Sequence, residues 1–255
     1  MNYDKASLLV SSFDKYAVCW EPFCHGLKKY WPDHPSNLYF ITNILDPPEG
    51  KAIKIGQDQG WAANLKAALA KIETPYIIYA QEDYWINHPV DNRNILDYLQ
   101  IVENGQADYI RLYPAPGPDS EYPIDDRLGI ISANSNYRAS LQMAIWRKSV
   151  LENLILTGES QWDFEMQGSI RSQSLQDRFY CVTKRRHGVE YIFTAVVNGE
   201  WIDEAKEYAK TENIVIQFDQ LPLKPMIKRY LDRLRGLAYR YSRKIKIFAA
   251  RHGVE

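Results

Sequence analysis

The stretch from Gly60 to Asn87 constrains the fold more than any other part of the chain. Apolar residues recur at helical spacing between Trp61 and Ile72. Glu73-Thr74-Pro75 ends this helix, because a residue that precedes proline is disfavoured in the α conformation. Residues 76–80, Tyr-Ile-Ile-Tyr-Ala, are apolar and rich in β-forming side chains, as in a strand that is covered on both faces. The sequence therefore predicts a helix followed by a buried strand.

Three polar residues, Gln81, Glu82 and Asp83, follow this predicted strand. In open α/β sheets, ligands bind outside the carboxyl ends of the strands. Two adjacent carboxylates at such a place suit a hard divalent cation that carries a phosphorylated ligand. The alternative interpretation is a strand that ends in a solvated acidic turn.

Strand-like and helix-like segments alternate on both sides of this stretch. Strands are expected at 6–12, 37–42, 51–55, 108–113, 140–146, 179–183 and 191–197, and helices at 16–30, 92–105 and 149–156. The proline-rich segment 114–128 is expected to be a surface loop that covers a site. This alternation predicts an α/β domain with a mixed, mainly parallel sheet flanked by helices, and with the carboxyl ends of its strands on one rim.

Composition and charge exclude several classes of protein. The net charge of −1 argues against nucleic-acid binding by the chain as a whole. The N-terminus lacks a signal-peptide pattern and no apolar run is long enough to span a bilayer, so we expect a cytoplasmic protein. The three cysteines form no C-x-x-C pair and fit reduced thiols. A zinc site at Cys19, Cys24 and His25 would lack a fourth ligand at suitable spacing.

The end of the chain changes character after residue 220. Ten basic residues lie between Lys224 and Arg251, against the single acid Asp232. Apolar residues recur there at steps of four and three, which predicts a basic amphipathic helical extension at 221–255 after a domain at 1–220. Such a helix binds anionic membrane surfaces. The alternatives are a helix packed on the domain and a nucleic-acid arm.

Together these segments resemble the GT-A-fold glycosyltransferases, of the family 2-like type that builds bacterial surface polysaccharides. The first strand and its polar turn, residues 8–14, are similar to the family's nucleotide-holding segment. Residues 60–64 resemble its glycine and asparagine-bearing helix, and residues 81–83 stand in place of its Asp-x-Asp metal motif. Residues 159–165 resemble its acceptor-side acidic stretch, and the order of elements matches over residues 5–205.

The resemblance implies a Rossmann-type GT-A sheet and a set of site residues. The implied donor-binding residues are Ser11, Ser12, Asp14, Asn64, Gln81 and Glu82. Asp83 and His187 are the implied ligands of Mg²⁺ or Mn²⁺, and Trp162 and Gln142 the implied acceptor contacts. The candidate general base is Glu165, with Asp163 second and Glu159 third.

The implied reaction transfers a sugar from a nucleotide-sugar donor to a hydroxyl of a growing surface glycan, such as lipopolysaccharide, O-antigen or capsule. With a general base and direct displacement the configuration would invert. The acceptor would be a glycan or a lipid-linked glycan, and the enzyme would sit in the cytoplasm or peripherally on the inner face of the membrane.

Two departures from the family pattern keep other interpretations open. Gln81 replaces the first acid of the metal motif, and Ala63 replaces a frequent arginine. A non-catalytic carbohydrate-binding protein with a degenerate transferase fold is one alternative. A sugar nucleotidyltransferase is another, although the segment 11–16 lacks the glycines of a phosphate loop. Simpler interpretations of single segments also remain open: Asp14 caps a turn, the acids of 159–165 are surface groups, and the basic segment 184–187 is a solvated turn.

Overall fold

A computed structural model describes residues 2–175 and 178–223. Within them, nine strands form one sheet in the order β3-β2-β1-β4-β8-β5-β9-β7-β6. The strands are β1 (Ala6–Ser11), β2 (Leu38–Thr42), β3 (Lys51–Lys54), β4 (Tyr76–Gln81), β5 (Tyr109–Arg111), β6 (Ser120–Glu121), β7 (Leu128–Ile130), β8 (Ala144–Arg147) and β9 (Phe179–Val182). β7 and β8 run opposite to the other seven. The sheet is therefore mixed and mainly parallel, which confirms the predicted fold class.

Helices cover both faces of this sheet. They are α1 (Trp20–Tyr30), α2 (Trp61–Leu69), α3 (Asn92–Glu103), α4 (Lys148–Leu154), α5 (Gln161–Asp163), α6 (Ser169–Ser172) and α7 (Asp203–Glu212). A π-helical turn, Phe164–Gly168, joins α5 to α6 without a break, and a 3₁₀ helix, Asp14–Cys19, precedes α1. Buried side chains of α1, α3 and α7 share one core. Those of α2, α4 and the π-helical turn share the other core.

The central strands alternate their side chains between the two cores. In β4, Ile78 and Ala80 pack into the core with α1, whereas Ile77 and Tyr79 pack into the core with α2. β1 and β4 pair in parallel over their whole length, so that Ser11 lies opposite Gln81. The carboxyl ends of these two buried strands therefore meet at one rim, as the sequence predicts.

A two-residue hairpin stands beside this rim. β10 (Val196–Val197) and β11 (Glu200–Trp201) are joined by Asn198 and Gly199, whose φ angles are 53° and 77°. Positive φ at both central positions is typical of a type I′ turn, which Asn-Gly favours. Helix α1 also packs closely on the segment that follows β4: an added Cβ at Gly26 would lie 2.8 Å from the carbonyl oxygen of Ile86.

Several predicted elements differ from the observed ones. The strand predicted at 191–197 is wrong: Tyr191 forms an isolated bridge with Ile86, and only β10 is a strand there. The strand predicted at 140–146 begins at Ala144, and the loop predicted at 114–128 contains β6. The helical segment 161–172 and α7 were not predicted. The predicted amphipathic helix falls, from residue 224 onward, outside the described residues.

No helix among residues 2–175 and 178–223 is both long and apolar enough to cross a bilayer.

Candidate functional site

The rim where β1 and β4 end carries two buried serines on its β1 side. Ser11 and Ser12 are 6% and 8% exposed. The indole nitrogen of Trp20 donates a hydrogen bond of 2.6 Å to Ser12 Oγ, which fixes the turn that follows β1. This turn leads into the 3₁₀ helix that bears Tyr16. Burial, followed by the charges of Glu82, Cys19 and Asp83, raises the pKa of the Tyr16 phenol.

Glu82 and Asp83 form a buried carboxyl pair on the β4 side of the rim. Their exposures are 9% and 8%. Burial raises the pKa of Asp83 to about 6 from its ordinary 3.8, even though hydrogen bonds from Thr194 and Val196 favour the charged form. Burial and the Asp83 charge hold the pKa of Glu82 well above its usual range. Among the described residues, neither carboxylate forms an ion pair, and no group of another residue hydrogen-bonds to the Glu82 carboxylate.

This pair fits a divalent cation. Buried carboxylates are stable in the charged form when they are paired or bind a metal. Within the part of the chain that the structure describes, no cluster of three or more histidine, cysteine or acidic side chains is placed to hold a metal ion. One or two carboxylates completed by phosphate oxygens and water are, however, a common way to hold Mg²⁺.

The segment 190–196, which we call the strap, runs along the residues that follow β4. Ile192 N donates to Trp85 O at 3.0 Å, and Ala195 N donates to Asp83 O at 3.1 Å. The Thr194 hydroxyl donates to Asp83 Oδ2, and Val196 N lies 3.4 Å from the same oxygen. The strap therefore fixes one oxygen of the Asp83 carboxylate.

Glu165 reaches the same rim from the opposite face of the sheet. Its Oε1 accepts hydrogen bonds from Leu141 N at 2.8 Å and from Ser140 Oγ at 3.1 Å. Burial raises its pKa above the ordinary value, although these two bonds and the nearby Arg111 oppose the shift. Glu165 lies in the π-helical turn, an irregularity that is frequent at functional sites.

Segment 140–142 connects Glu165 to the carboxyl pair. β8 pairs antiparallel with β4 so that Ala144 faces Tyr79, and the residues before Ala144 therefore run beside Gln81. The Tyr84 hydroxyl donates to Leu141 O at 3.2 Å. Burial is the main cause that raises the pKa of Tyr84, followed by Tyr191 and by the charges of Asp83 and Glu165. Leu141 thus bonds to both Glu165 and Tyr84, and Tyr84 directly follows Asp83 in the chain.

Gln142 is buried at the same place. Its side-chain oxygen accepts a hydrogen bond of 2.7 Å from the Tyr191 hydroxyl, and the Tyr191 ring stacks on Tyr84 with centroids 4.7 Å apart. Sequence reasoning missed Tyr84, Tyr191 and Thr194 as site residues, because only tertiary contacts bring the strap to Asp83.

The two other candidate bases have structural roles. Asp163 forms a capping box with Ser160, and these hydrogen bonds lower the Asp163 pKa. Glu159 pairs with Arg171 through two bonds of 2.7 Å and accepts a hydrogen bond from Leu156 N. Asp163 and Glu159 thus bond within segment 154–171, whereas Glu165 bonds to Ser140 and Leu141 beside the rim.

Two of the implied donor contacts are also engaged elsewhere. The Asp14 carboxylate accepts hydrogen bonds from the backbone N–H groups of Asn43, Ile44 and Leu45, with distances between 2.9 and 3.1 Å. These bonds agree with the alternative interpretation of Asp14 as a turn-capping residue. The Asn64 amide donates to Asp58 Oδ1 at 2.7 Å and accepts from Gln59 N, which stabilises the loop before α2.

His187 has a different environment from the one the family resemblance implies. Its Nδ1 lies 3.1 Å from the Thr183 hydroxyl, and its carbonyl accepts a hydrogen bond from Tyr98. Burial and neighbouring cations lower its pKa. None of these contacts involves Asp83, so we leave His187 out of the proposed cation ligands. The preceding basic residues are exposed, and Arg185 lies over the Tyr113 ring at 5.1 Å.

Solved structures of similar fold share this architecture. A structure of S. aureus TarS 1–349 in complex with UDP is 13% identical and superposes with a TM-score of 0.51 over 74% of this chain and 60% of that chain. The mannosyltransferase PcManGT from Pyrobaculum calidifontis, in complex with GDP-Man and Mn²⁺, is 10% identical, with a TM-score of 0.50 over 76% of this chain and 58% of that chain. The chain thus spans about three fifths of the length of these structures.

A cytidylyltransferase from Leptospira borgpetersenii aligns with a TM-score of 0.48 at 12% identity, over 84% of this chain and 89% of that chain. No protein-family model and no curated protein sequence matches the chain. At these identities the likeness concerns the fold alone, which is GT-A-like.

Proposed function

We propose that this protein is a metal-dependent glycosyltransferase that moves a sugar from a nucleotide-sugar donor to a hydroxyl of a glycan. The observation that carries the proposal is the buried Glu82–Asp83 pair without a cationic partner among the described residues, together with Glu165 at the same rim. A GT-A-like fold supports it, because ligands of such sheets bind at the carboxyl ends of the strands.

The donor is proposed to lie across the ends of β1 and β4. Asp83, with Glu82 beside it, would hold Mg²⁺ or Mn²⁺, and Ser11, Ser12 and Gln81 would contact the donor. When bound, the cation offsets the negative charge of the diphosphate as it leaves. Asp83 is suited to this role because the strap fixes one of its oxygens.

Glu165 is proposed as the general base. The acceptor hydroxyl attacks the anomeric carbon, its proton passes to Glu165, and the bond from that carbon to the diphosphate oxygen breaks. The raised pKa of Glu165 makes it a better proton acceptor than an exposed carboxylate. Direct displacement with such a base inverts the configuration. Trp162 lies three residues before Glu165 and is 69% exposed. Together with Gln142 it would contact the acceptor.

We place the acceptor among growing surface glycans, free or lipid-linked, such as lipopolysaccharide, O-antigen or capsule. The basic sequence of 224–255 supports attachment to an anionic membrane surface.

Nucleotide release tests this function. Purified protein is incubated with a panel of nucleotide-sugars, with and without Mn²⁺, and nucleoside diphosphate is measured. Mn²⁺-dependent release that Asp83→Asn abolishes is the expected result. A nucleotidyltransferase would instead release pyrophosphate from a nucleoside triphosphate and a sugar phosphate. Observing that release would assign the protein to the nucleotidyltransferases and contradict our proposal.

A second candidate is a non-catalytic carbohydrate-binding protein, which the amide of Gln81 in place of an acid favours. It predicts nucleotide-sugar or glycan binding without any diphosphate release. Glu165→Gln would then leave nucleotide-sugar and glycan binding unchanged.

A further inference from the structure

One exposed aromatic ring next to the site has no assigned role. Phe193 belongs to the strap and is 52% exposed. It directly precedes Thr194, whose hydroxyl holds Asp83, and it lies between the two backbone bonds that fasten the strap to Trp85 and Asp83. A large apolar ring is thus kept in water at the edge of the candidate site.

The surroundings of Phe193 keep this ring in place. Tyr113 lies beneath it, with ring centroids 6.0 Å apart and an interplanar angle of 56°. Tyr113 packs in turn on Tyr191 at 4.5 Å, and Tyr191 stacks on Tyr84. A continuous row of rings therefore runs from Tyr84, which follows Asp83 and bonds to Leu141 O, to the exposed Phe193.

Trp162, a second exposed aromatic residue near the site, comes from the opposite side. Its helical segment packs through Phe164 into the core that contains α2. The strap packs through Tyr191 and Ala195 into the core that contains α1. Trp162 and Phe193 thus belong to elements on opposite faces of the sheet, with the carboxylates at the rim between them.

Exposed aromatic rings beside a polar site suit the apolar faces of sugar rings, where a flat hydrophobic surface is offered next to hydrogen-bonding groups. We propose that Phe193 is a sugar-stacking residue on the acceptor side. With Trp162 it would contact two different sugar units, so the acceptor is an oligosaccharide rather than a monosaccharide. This inference rests on the proposed function and names the substrate class of the same site.

Binding to an array of defined oligosaccharides, from one to six sugar units, tests the proposal on the full chain. Wild type should be retained by glycans of two or more units. Phe193→Ala should bind them about ten-fold more weakly, which corresponds to about 1.4 kcal/mol. Phe193→Trp should restore binding. Val215→Ala, which shortens an apolar side chain that is 93% exposed elsewhere, serves as the matched control and should bind as wild type does.

A parallel measurement separates this proposal from the proposed function. The affinity for Mn²⁺ with a nucleotide-sugar should be the same in Phe193→Ala and wild type, since Thr194 and Val196, and not the Phe193 ring, hydrogen-bond to the Asp83 carboxylate. Loss of that affinity in Asp83→Asn alone would support the transferase site whatever the array shows.

Three results would overturn the assignment of Phe193. One is unchanged glycan binding by Phe193→Ala, and another is the absence of retention of wild type by any glycan. The third is reduced sedimentation of Phe193→Ala with anionic vesicles while its glycan binding is intact, which would assign the ring to a membrane surface instead.

Discussion

Replacing Asp83 by asparagine should stabilise the metal-free protein while it destroys cation binding. The pKa of Asp83 is raised by burial from 3.8 to about 6. Between these two values the folded state binds more protons than the unfolded state, so stability falls as pH rises. At 1.36 kcal/mol per pKa unit, the charged carboxylate costs the fold at most about 3 kcal/mol above pH 6.

Asparagine avoids this cost and keeps an oxygen that accepts the Thr194 hydrogen bond. We expect the unfolding free energy of Asp83→Asn to exceed that of wild type by about 1–3 kcal/mol at pH 8, a rise in Tm of about 3–8 °C. At pH 4 the two proteins should melt together. Asp219→Asn removes the same charge from an exposed position and should not reproduce the pH-dependent gain.

Thermal melts with EDTA and with Mn²⁺, at both pH values, measure both halves of this prediction. Mn²⁺ should raise the Tm of wild type at pH 8, because a cation that binds only the folded state stabilises it. It should leave Asp83→Asn unchanged. A variant that melts below wild type at pH 8, or that still responds to Mn²⁺, would refute the reasoning about the buried pair.

The remaining predictions concern the base, the helix cap, the α1–α7 contact and the C-terminal segment. Glu165→Gln should lower transfer at least 100-fold while nucleotide-sugar binding stays. Asp163→Asn, which removes a carboxylate of the capping box, should keep transfer within a few-fold of wild type and slightly lower the Tm. Equal turnover of Glu165→Gln and wild type in steady-state assays would contradict the role of Glu165 as the base. Transfer by wild type should fall as pH drops through the raised pKa of Glu165. Hydrogen bonds from Lys29, Tyr30 and His25 lower the pKa of Glu212 to about 2, although burial opposes this shift. The charged Glu212 should therefore add about 1–2 kcal/mol to the free energy of unfolding, and this contribution is lost as the pH falls from 4.5 to 2. The unfolding free energy of Glu212→Gln should not show this pH dependence. A chain ending at residue 223 should no longer sediment with anionic vesicles, and unchanged sedimentation would contradict the membrane role.

The central strands could be predicted because their residues are apolar on both faces. The run before Gln81 fits only a strand that is covered on each side, and the observed β4 differs from the prediction by one residue. The position of Gln81 and Asp83 at the rim follows directly from that strand. The same reasoning failed at 191–197: Tyr191 stacks on Tyr84, Ile192 N bonds to Trp85 O, Phe193 is half exposed, and only Val196–Val197 is a strand.

The choice among the candidate acids depended on contacts that lie far apart in sequence. Glu165 is linked to the rim through Ser140 and Leu141, about 25 residues earlier, which no local pattern reveals. Asp163 could have been set aside from sequence, because Ser160 three residues before it forms a capping-box pattern. Thr194 carries no local motif, and only the path of the strap brings it to Asp83.

The most direct test of the account is the location of Mn²⁺ in a crystal grown with a nucleotide-sugar. Anomalous scattering should give a peak within coordination distance of an Asp83 carboxylate oxygen, next to the diphosphate. A peak at another set of residues, or a diphosphate bound away from Asp83 with no cation beside it, would contradict the assignment of this rim as the transfer site.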